Sequence, residues 1–292
     1  MANLKEIRSR ITSVSSTMQI TSAMKMVSAA KLRRAQDAIT RMRPYSEKLN
    51  EILANLSSSL DVSENVYGEE RDGKRVLIVA ITSNRGLCGG FNNAVIKDVK
   101  RMLNNELKSH DVNILPLGKK ANDAFKASGM INTAKVYGDW DAGDVYSNLT
   151  FEHVSEIANH VMEAYAENKY DKVILVYNRF KNAAVQILET EQFLPIRQPE
   201  GEQKVSTDYI FEPDKEEIVN DIIPKSLRIQ LFAALLDSHA AEHGARMTAM
   251  HKATDNASEL KKELKLTYNK VRQAAITTEI LEIVAGAEAL ND

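Results

Sequence analysis

Apolar residues near the start of the chain fall at Leu4, Ile7, Ile11, Val14 and Met18, in alternating steps of three and four. That spacing draws a narrow stripe along one helix face, the mark of a helix packed lengthwise on another helix. The stripe blurs from Gln19 to Gln36, where small residues such as Thr21, Ala23, Ser28 and Ala30 prevail. It resumes at Met42, Tyr45, Leu49, Ile52 and Leu56. Pro44 lies inside it and is expected to kink the helix or mark a weak joint. The serines at 57–59 and the acidic run after them read as the exit.

The far end repeats the theme. Residues 214–285 contain one glycine, Gly244, and one proline, Pro224, among good helix formers. Pro224 is expected to begin a second helical stretch, since proline suits a first turn. Leu227, Leu231, Leu235, Ser238, Ala241 or Glu242, and Ala245 form a seam with small members, and Ile276, Ile280, Ile283, Ala287 and Leu290 form another. Sixty or more helical residues at ~1.5 Å each span roughly 90–100 Å. No compact domain of this size can bury such a helix, so it needs a partner along its length. The N-terminal helix is that partner: the two ends, 1–58 and 209–292, are expected to form an antiparallel coiled coil. Its small-residue seam would be marginal alone, so other protein is expected to enclose it.

Between the ends the pattern changes. Residues 75–82 and 172–178 are continuous apolar runs rich in β-branched residues, as in strands buried on both faces. Residues 112–118 and 184–190 are two further strand candidates, the last able to pair with the third by a hairpin. Helical periodicity fills 92–107, 119–127 and 151–168. Alternating strands and helices predict an open, mostly parallel sheet. The fold class is therefore α/β plus long α: a Rossmann-like open α/β domain at 74–200, inserted between the two halves of the coil.

Composition supports long helix over compact globule: 12 Gly, 6 Pro and 6% aromatics in 292 residues. With 43% hydrophobic residues and a net charge of −2, disorder is excluded, and no run approaches the ~18 apolar residues of a membrane helix. The single cysteine, Cys88, excludes an intrachain disulfide and a multi-cysteine metal site. The N-terminus enters a charged helical pattern at once and resembles neither a signal peptide nor an organelle leader. Charge is uneven: residues 1–58 hold ten Lys/Arg against four Asp/Glu. The excess lies at 25–43, where a basic stretch suits an acidic protein, an anionic membrane or nucleic acid. No aromatics interleave with it before Tyr45, so base stacking has little to work with. At the other extreme, residues 273–292 carry no Lys or Arg and expose a broad apolar face. That reads as a plug for an apolar socket or as a helix folded back on the chain itself.

The loop Ser83–Asn92 carries Gly86, Gly89 and Gly90 at a strand-to-helix turn, where helix N-termini bind anions. It is neither a dinucleotide fingerprint nor a Walker A loop, and a tight turn serving a protein contact fits it better. His239 and His243 have the i,i+4 spacing of metal ligands, without the glutamate a zinc protease places after the first histidine; they read as packed or solvated helix residues. Two rival functions remain. One is an α/β enzyme with a helical arm, its active site at 83–92. The other is a coiled-coil adaptor binding nucleic acid or membrane through 25–43, with a phosphate- or nucleotide-binding α/β domain.

Longer motifs narrow the choice. The runs 5–11 (KEIRSRI), 19–31 (QITSAMKMVSAAK), 85–92 (RGLCGGFN), 245–250 (ARMTAM) with 253–257 (ATDNA), and 268–287 (YNKVRQAAITTEILEIVAGA) resemble the γ subunits of F-type ATP synthases. The likeness covers both ends and the first strand and loop of the middle domain; residues 110–205 are generic. The resemblance implies a rotor. The terminal helices would turn inside a hexamer of three α and three β subunits, and the α/β domain would contact the ε subunit and the c ring of Fo. ATP chemistry would belong to β, leaving this chain without catalytic, cofactor or metal residues. It further implies α/β-ring contacts at Met24, Lys25, Arg246, Arg272, Gln273, Thr277 and Glu282. Contacts with ε and the c ring are implied at Arg85, Gly86, Leu87, Cys88, Gly89, Gly90, Tyr209, Phe211 and Glu212. It implies one copy per complex, no nucleic acid, and a peripheral place on the cytoplasmic face of a bacterial plasma membrane. The single cysteine departs from plant-type relatives, whose regulatory insert carries a cysteine pair.

Overall fold

A computed structural model describes residues 4–57, 66–131, 141, 144–196 and 215–288. The elements in order are α1 (Leu4–Ser57), β1 (Arg75–Ile81), α2 (Phe91–Asn104), β2 (Asp111–Leu117), α3 (Lys119–Phe125), α4 (Phe151–Ala166), β3 (Lys172–Phe180), β4 (Gln186–Leu194) and α5 (Lys215–Glu288). Long terminal helices flanking an open mixed sheet are the fold class the periodicity predicts. The chain forms two compact units. One takes the chain up to Ser28 and from Met247 onward; the other is Ala29–Arg246.

Neither proline interrupts its helix. α1 continues through Pro44, and α5 begins at Lys215, so Pro224 lies inside it rather than at a first turn. Proline in a helix interior costs ~3 kcal/mol through its missing N–H and its clash with the preceding turn. Around Pro224 that cost is offset by Ile223, Leu227 and Leu231, all buried in the domain core, each contributing ~1.5–3 kcal/mol.

In the unit Ala29–Arg246, the sheet order is β2-β1-β3-β4. β1 is parallel to both β2 and β3, and β4 closes one edge antiparallel to β3. Side chains alternate across a strand, and β1 shows both faces covered. Leu77, Val79 and Ile81 pack with α4 residues Val154, Ile157 and Val161 and with α5 residues Leu227, Leu231 and Leu235. Val76, Ile78 and Ala80 pack with Val95, Val99 and Met102 of α2 and Phe125 of α3. Burial on both faces is why β1 reads as an unbroken apolar run. One charge ties the N-terminal ends of β1 and β3. Asp171, 3% exposed, accepts hydrogen bonds from the Arg75 backbone N–H (2.9 Å) and Nε (3.0 Å). The bond to the Arg75 side chain holds its carboxyl below the usual carboxylate range.

In the other unit, α1 and α5 run antiparallel. The Lys261 ammonium donates to Ser15 Oγ (2.9 Å), the Thr254 hydroxyl to Thr21 Oγ1 (2.8 Å), and Lys25 Nζ to His251 Nδ1 (3.3 Å). From Ser15 to Lys25 the number rises by ten, while its partner falls by ten, from 261 to 251. Two helices with equal rise per residue can pair this way only head to tail. The seam on α1 does not blur after Gln19. Thr21 and Ser28 are buried at the next heptad positions after Ile7, Val14 and Met18. On α5, Met250, Thr254, Ala257, Lys261, Leu264, Tyr268 and Val271 keep the same alternation of four and three. Sequence periodicity missed the middle of the seam because its occupants are small and polar.

Candidate partner-binding surfaces

In open parallel sheets, ligands settle beyond the strand C-termini where successive connections leave for opposite faces. Here that point lies between β1 and β3: β1 leads into α2 on one face, and β3 is reached from α4 on the other. The loop 83–90 occupies it. Asn92 locks the loop by accepting from the Ser83 N–H (2.9 Å) and donating to Ser83 Oγ (2.8 Å). Asn178, at the end of β3, donates to the Phe91 carbonyl at 3.0 Å. Cys88 and Phe91 are buried against Ala241 and Ala245 of α5, with Phe180 packed alongside. Gly244 sits so close that a Cβ there would lie 3.2 Å from Ala183 Cα and 3.3 Å from the Phe180 ring. Small residues at 241, 244 and 245 let the chain's own helix approach the loop from this side, while Gly86, Gly89 and Gly90 face open space.

A buried polar cluster runs along the same helix. The Arg246 guanidinium, in a residue 8% exposed, donates to Glu242 Oε1 (2.5 Å) and to the carbonyls of Arg85 (3.1 Å) and Gly86 (3.2 Å). Its Nη1 also meets His243 Nδ1 at 3.4 Å, and His243 Nε2 lies 3.0 Å from His239 Nε2. A guanidinium can only donate, so His243 accepts at Nδ1, carries its proton on Nε2 and donates to His239. Both imidazoles are therefore neutral. Burial, with the nearby Lys31 and Arg246 charges, pushes His239 down to about 4; burial, His239 and the same two cations push His243 down to about 3. Burial raises the Glu242 carboxyl despite its arginine partner. The His pair is packed helix residues in mutual contact, and Tyr146 stacks on the His239 ring at 5.9 Å.

What the loop shows outward is Leu87. It is 64% exposed and adopts a φ of 63°, a left-handed conformation that costs a residue with a Cβ roughly 1–2 kcal/mol. Arg85, Gly86, Gly89 and Gly90 are exposed beside it, and Cys88 is turned inward.

On the coiled coil, Met24 and Lys25 are half-buried, while Ile20, Met26 and Val27 are well exposed. The antiparallel register places the start of α1 near residue 272, so among the described residues α5 has no helix beside it from Gln273 to Glu288. Arg272, Gln273, Thr277 and Glu282 are all exposed on this stretch. Its aliphatics are exposed as well, from Ile276 at 43% to Ile283 at 71%. Of the two readings of this segment, the fold-back has no support among the described residues. Tyr209, Phe211 and Glu212 lie outside the described residues. Sequence reasoning did not find the tie between Arg246 and the loop, because its acceptors, the carbonyls of Arg85 and Gly86, lie some 160 positions away.

Known proteins share this architecture. The family model described as ATP synthase matches residues 3–290. The ATP synthase gamma chains of Christiangramia forsetii and Flavobacterium johnsoniae are each 60% identical to this chain, over all of both chains. That of Chlorobium phaeobacteroides is 47% identical over all of this chain and 99% of its own. Among solved structures, a chain of the Euglena gracilis mitochondrial ATP synthase has the same fold, with a TM-score of 0.65 at 23% identity, covering 98% of this chain and 94% of that one. A chain from the central stalk and c ring of the Tetrahymena thermophila mitochondrial enzyme matches with a TM-score of 0.57 at 26% identity, covering 80% and 99%.

Proposed function

The chain belongs to the ATP synthase gamma chain family, and from that premise we propose that it works as the central-stalk rotor of an F-type ATP synthase. It turns with the c ring of Fo, and its asymmetry forces a surrounding ring of three α and three β subunits through different conformations. ATP synthesis and hydrolysis take place on the β subunits, and this chain supplies torque rather than catalytic groups. One copy serves each complex, held at the cytoplasmic face of the plasma membrane through its partners.

The observation that carries this reading is the lone helical stretch 273–288. A helix that exposes Ile276, Ile280, Leu281, Ile283 and Val284 to water is unfavourable unless another protein encloses it. A cation-free apolar end suits a bearing, because directional bonds there would resist rotation. Gln273, Thr277 and Glu282 on this stretch, with Arg272 at its start and Met24 and Lys25 elsewhere, are assigned to the α/β ring; Arg246 is 8% exposed and its guanidinium is turned to partners within the chain. Arg85–Gly90, with Tyr209, Phe211 and Glu212, are assigned to the ε subunit and the c ring. Cys88 and Phe91 packed on α5, with an apolar Leu87 exposed beside them, favour a protein contact there over the phosphate site of the rival reading.

The test is to purify the tagged full-length chain from membranes of its source cells and measure subunit stoichiometry and ATPase activity. One copy with three each of two larger subunits, in an active complex, is the expected result. Recovery of the chain alone, or bound to nucleic acid that salt removes, would overturn the proposal.

A further inference from the structure

Arg246 is 8% exposed, and every polar contact of its guanidinium is internal: Glu242, His243 and the carbonyls of Arg85 and Gly86. A group so placed has little left to offer a neighbouring subunit. Its forked donors close instead on consecutive carbonyls of the turn that displays Leu87 in a left-handed conformation. The Arg85 carbonyl also accepts from Ser83 Oγ at 2.6 Å, and Cys88 is buried with Phe91, so the base of the turn is tied to its own strand and helix. Among the described residues, the Arg246 bonds are the hydrogen bonds that join the exposed half of the turn to α5.

We propose that Arg246 is a positioning residue: it fixes the Arg85–Leu87 turn to helix α5, so that Leu87 and Arg85 are presented to a partner subunit in one conformation, and it acts through that turn rather than by touching the partner itself. This rests on the reading of residues 85–90 as a partner-binding surface. Glu242 supplies the counter-charge that makes a buried guanidinium tolerable, and His243, held in one tautomer by His239, orients it. Lysine cannot take this part, because an ammonium is a point charge and lacks the planar fork that reaches two adjacent carbonyls. An exposed leucine at φ 63° is a conformation the turn would abandon if released, and relaxation would move the side chain that meets the partner.

The experiment uses the assembled complex carrying Arg246→Gln, Arg246→Lys, Leu87→Ala, or Leu87→Ala with either Arg246 change. Hydrogen exchange is followed at residues 85–90 and, as a control, along β1. Coupling is read as ion pumping per ATP hydrolysed. Arg246→Gln should raise exchange at 85–90 by about tenfold or more, the worth of one charge-assisted hydrogen bond, with β1 unchanged. Coupling should fall, and adding Leu87→Ala should bring no further loss, because both changes act through one turn. Arg246→Lys keeps the charge beside Glu242 and carries the test if the glutamine variant fails to assemble. Unchanged exchange at 85–90, or losses that multiply in the double variants, would overturn the proposal. If Leu87→Ala alone leaves assembly and coupling intact, the underlying reading of the loop fails instead, whatever the exchange shows.

Discussion

Acid should weaken the fold of the full-length chain through two histidines, and the size of the effect follows from their surroundings. His239 and His243 are neutral when folded, at about 4 and about 3, against 6.5 for a free imidazole. Depressed values mean that the unfolded chain binds more protons, so stability is lost as pH falls below 6.5 and continues to be lost until the folded values are reached. Between pH 7 and pH 5 each histidine costs ~1.8 kcal/mol by this linkage, about 3.6 kcal/mol for the pair. Asp237 has the opposite sign. Burial raises it from 3.8 to about 6, so its folded form takes up a proton first and returns ~1.3 kcal/mol over the same range. Glu242, also raised by burial, acts in the same direction as Asp237. Urea unfolding at pH 7, 6 and 5 should therefore be compared between the parent and His239→Gln/His243→Gln, because the difference cancels the carboxyl contributions. Relative to the variant, the parent should lose about 3 kcal/mol or more across that range. A difference constant to within ~0.5 kcal/mol would refute the assignment of a buried neutral pair.

Three further outcomes are expected. Gly244→Leu should destabilise the chain by ~1–3 kcal/mol in urea unfolding, because a Cβ there already lies 3.2 Å from Ala183 Cα and leaves little room for the atoms beyond it; unchanged stability would show that α5 does not approach so closely. Thr254→Val should cost ~0.5–1.5 kcal/mol by removing the hydroxyl that reaches Thr21, and the same change made beside Thr21→Val should cost less than the two single effects added. Ending the chain after Arg272 should change its own unfolding free energy by less than ~0.5 kcal/mol, since nothing in the described unit packs on the removed helix. The same truncation should weaken capture of ring subunits by about 5 kcal/mol, at about 1 kcal/mol for each of five half-exposed aliphatics. Equal capture would remove the bearing argument.

The elements and the pairing of the two ends were legible from residue order alone. Heptad steps from Leu4 to Met18 admit one periodicity, that of a helix, while the apolar runs at 75–82 and 172–178 read as strands through their shortness and β-branched content. Residue order also marked the cation-free end at 273–292 and the glycine-bearing loop at 85–90. Tertiary structure decided the rest, for three physical reasons. The seam through Thr21 and Ser28 is invisible to hydrophobic counting, because close backbone approach selects small residues there rather than apolar ones. Pro224 sits inside α5 because burial of Ile223, Leu227 and Leu231 outweighs a local rule, and local rules are all that sequence reading can apply. Arg246 is bound to the carbonyls of Arg85 and Gly86. A backbone carbonyl carries no side-chain identity, so no motif at 85 and 86 could announce that an arginine 160 residues away would hold it.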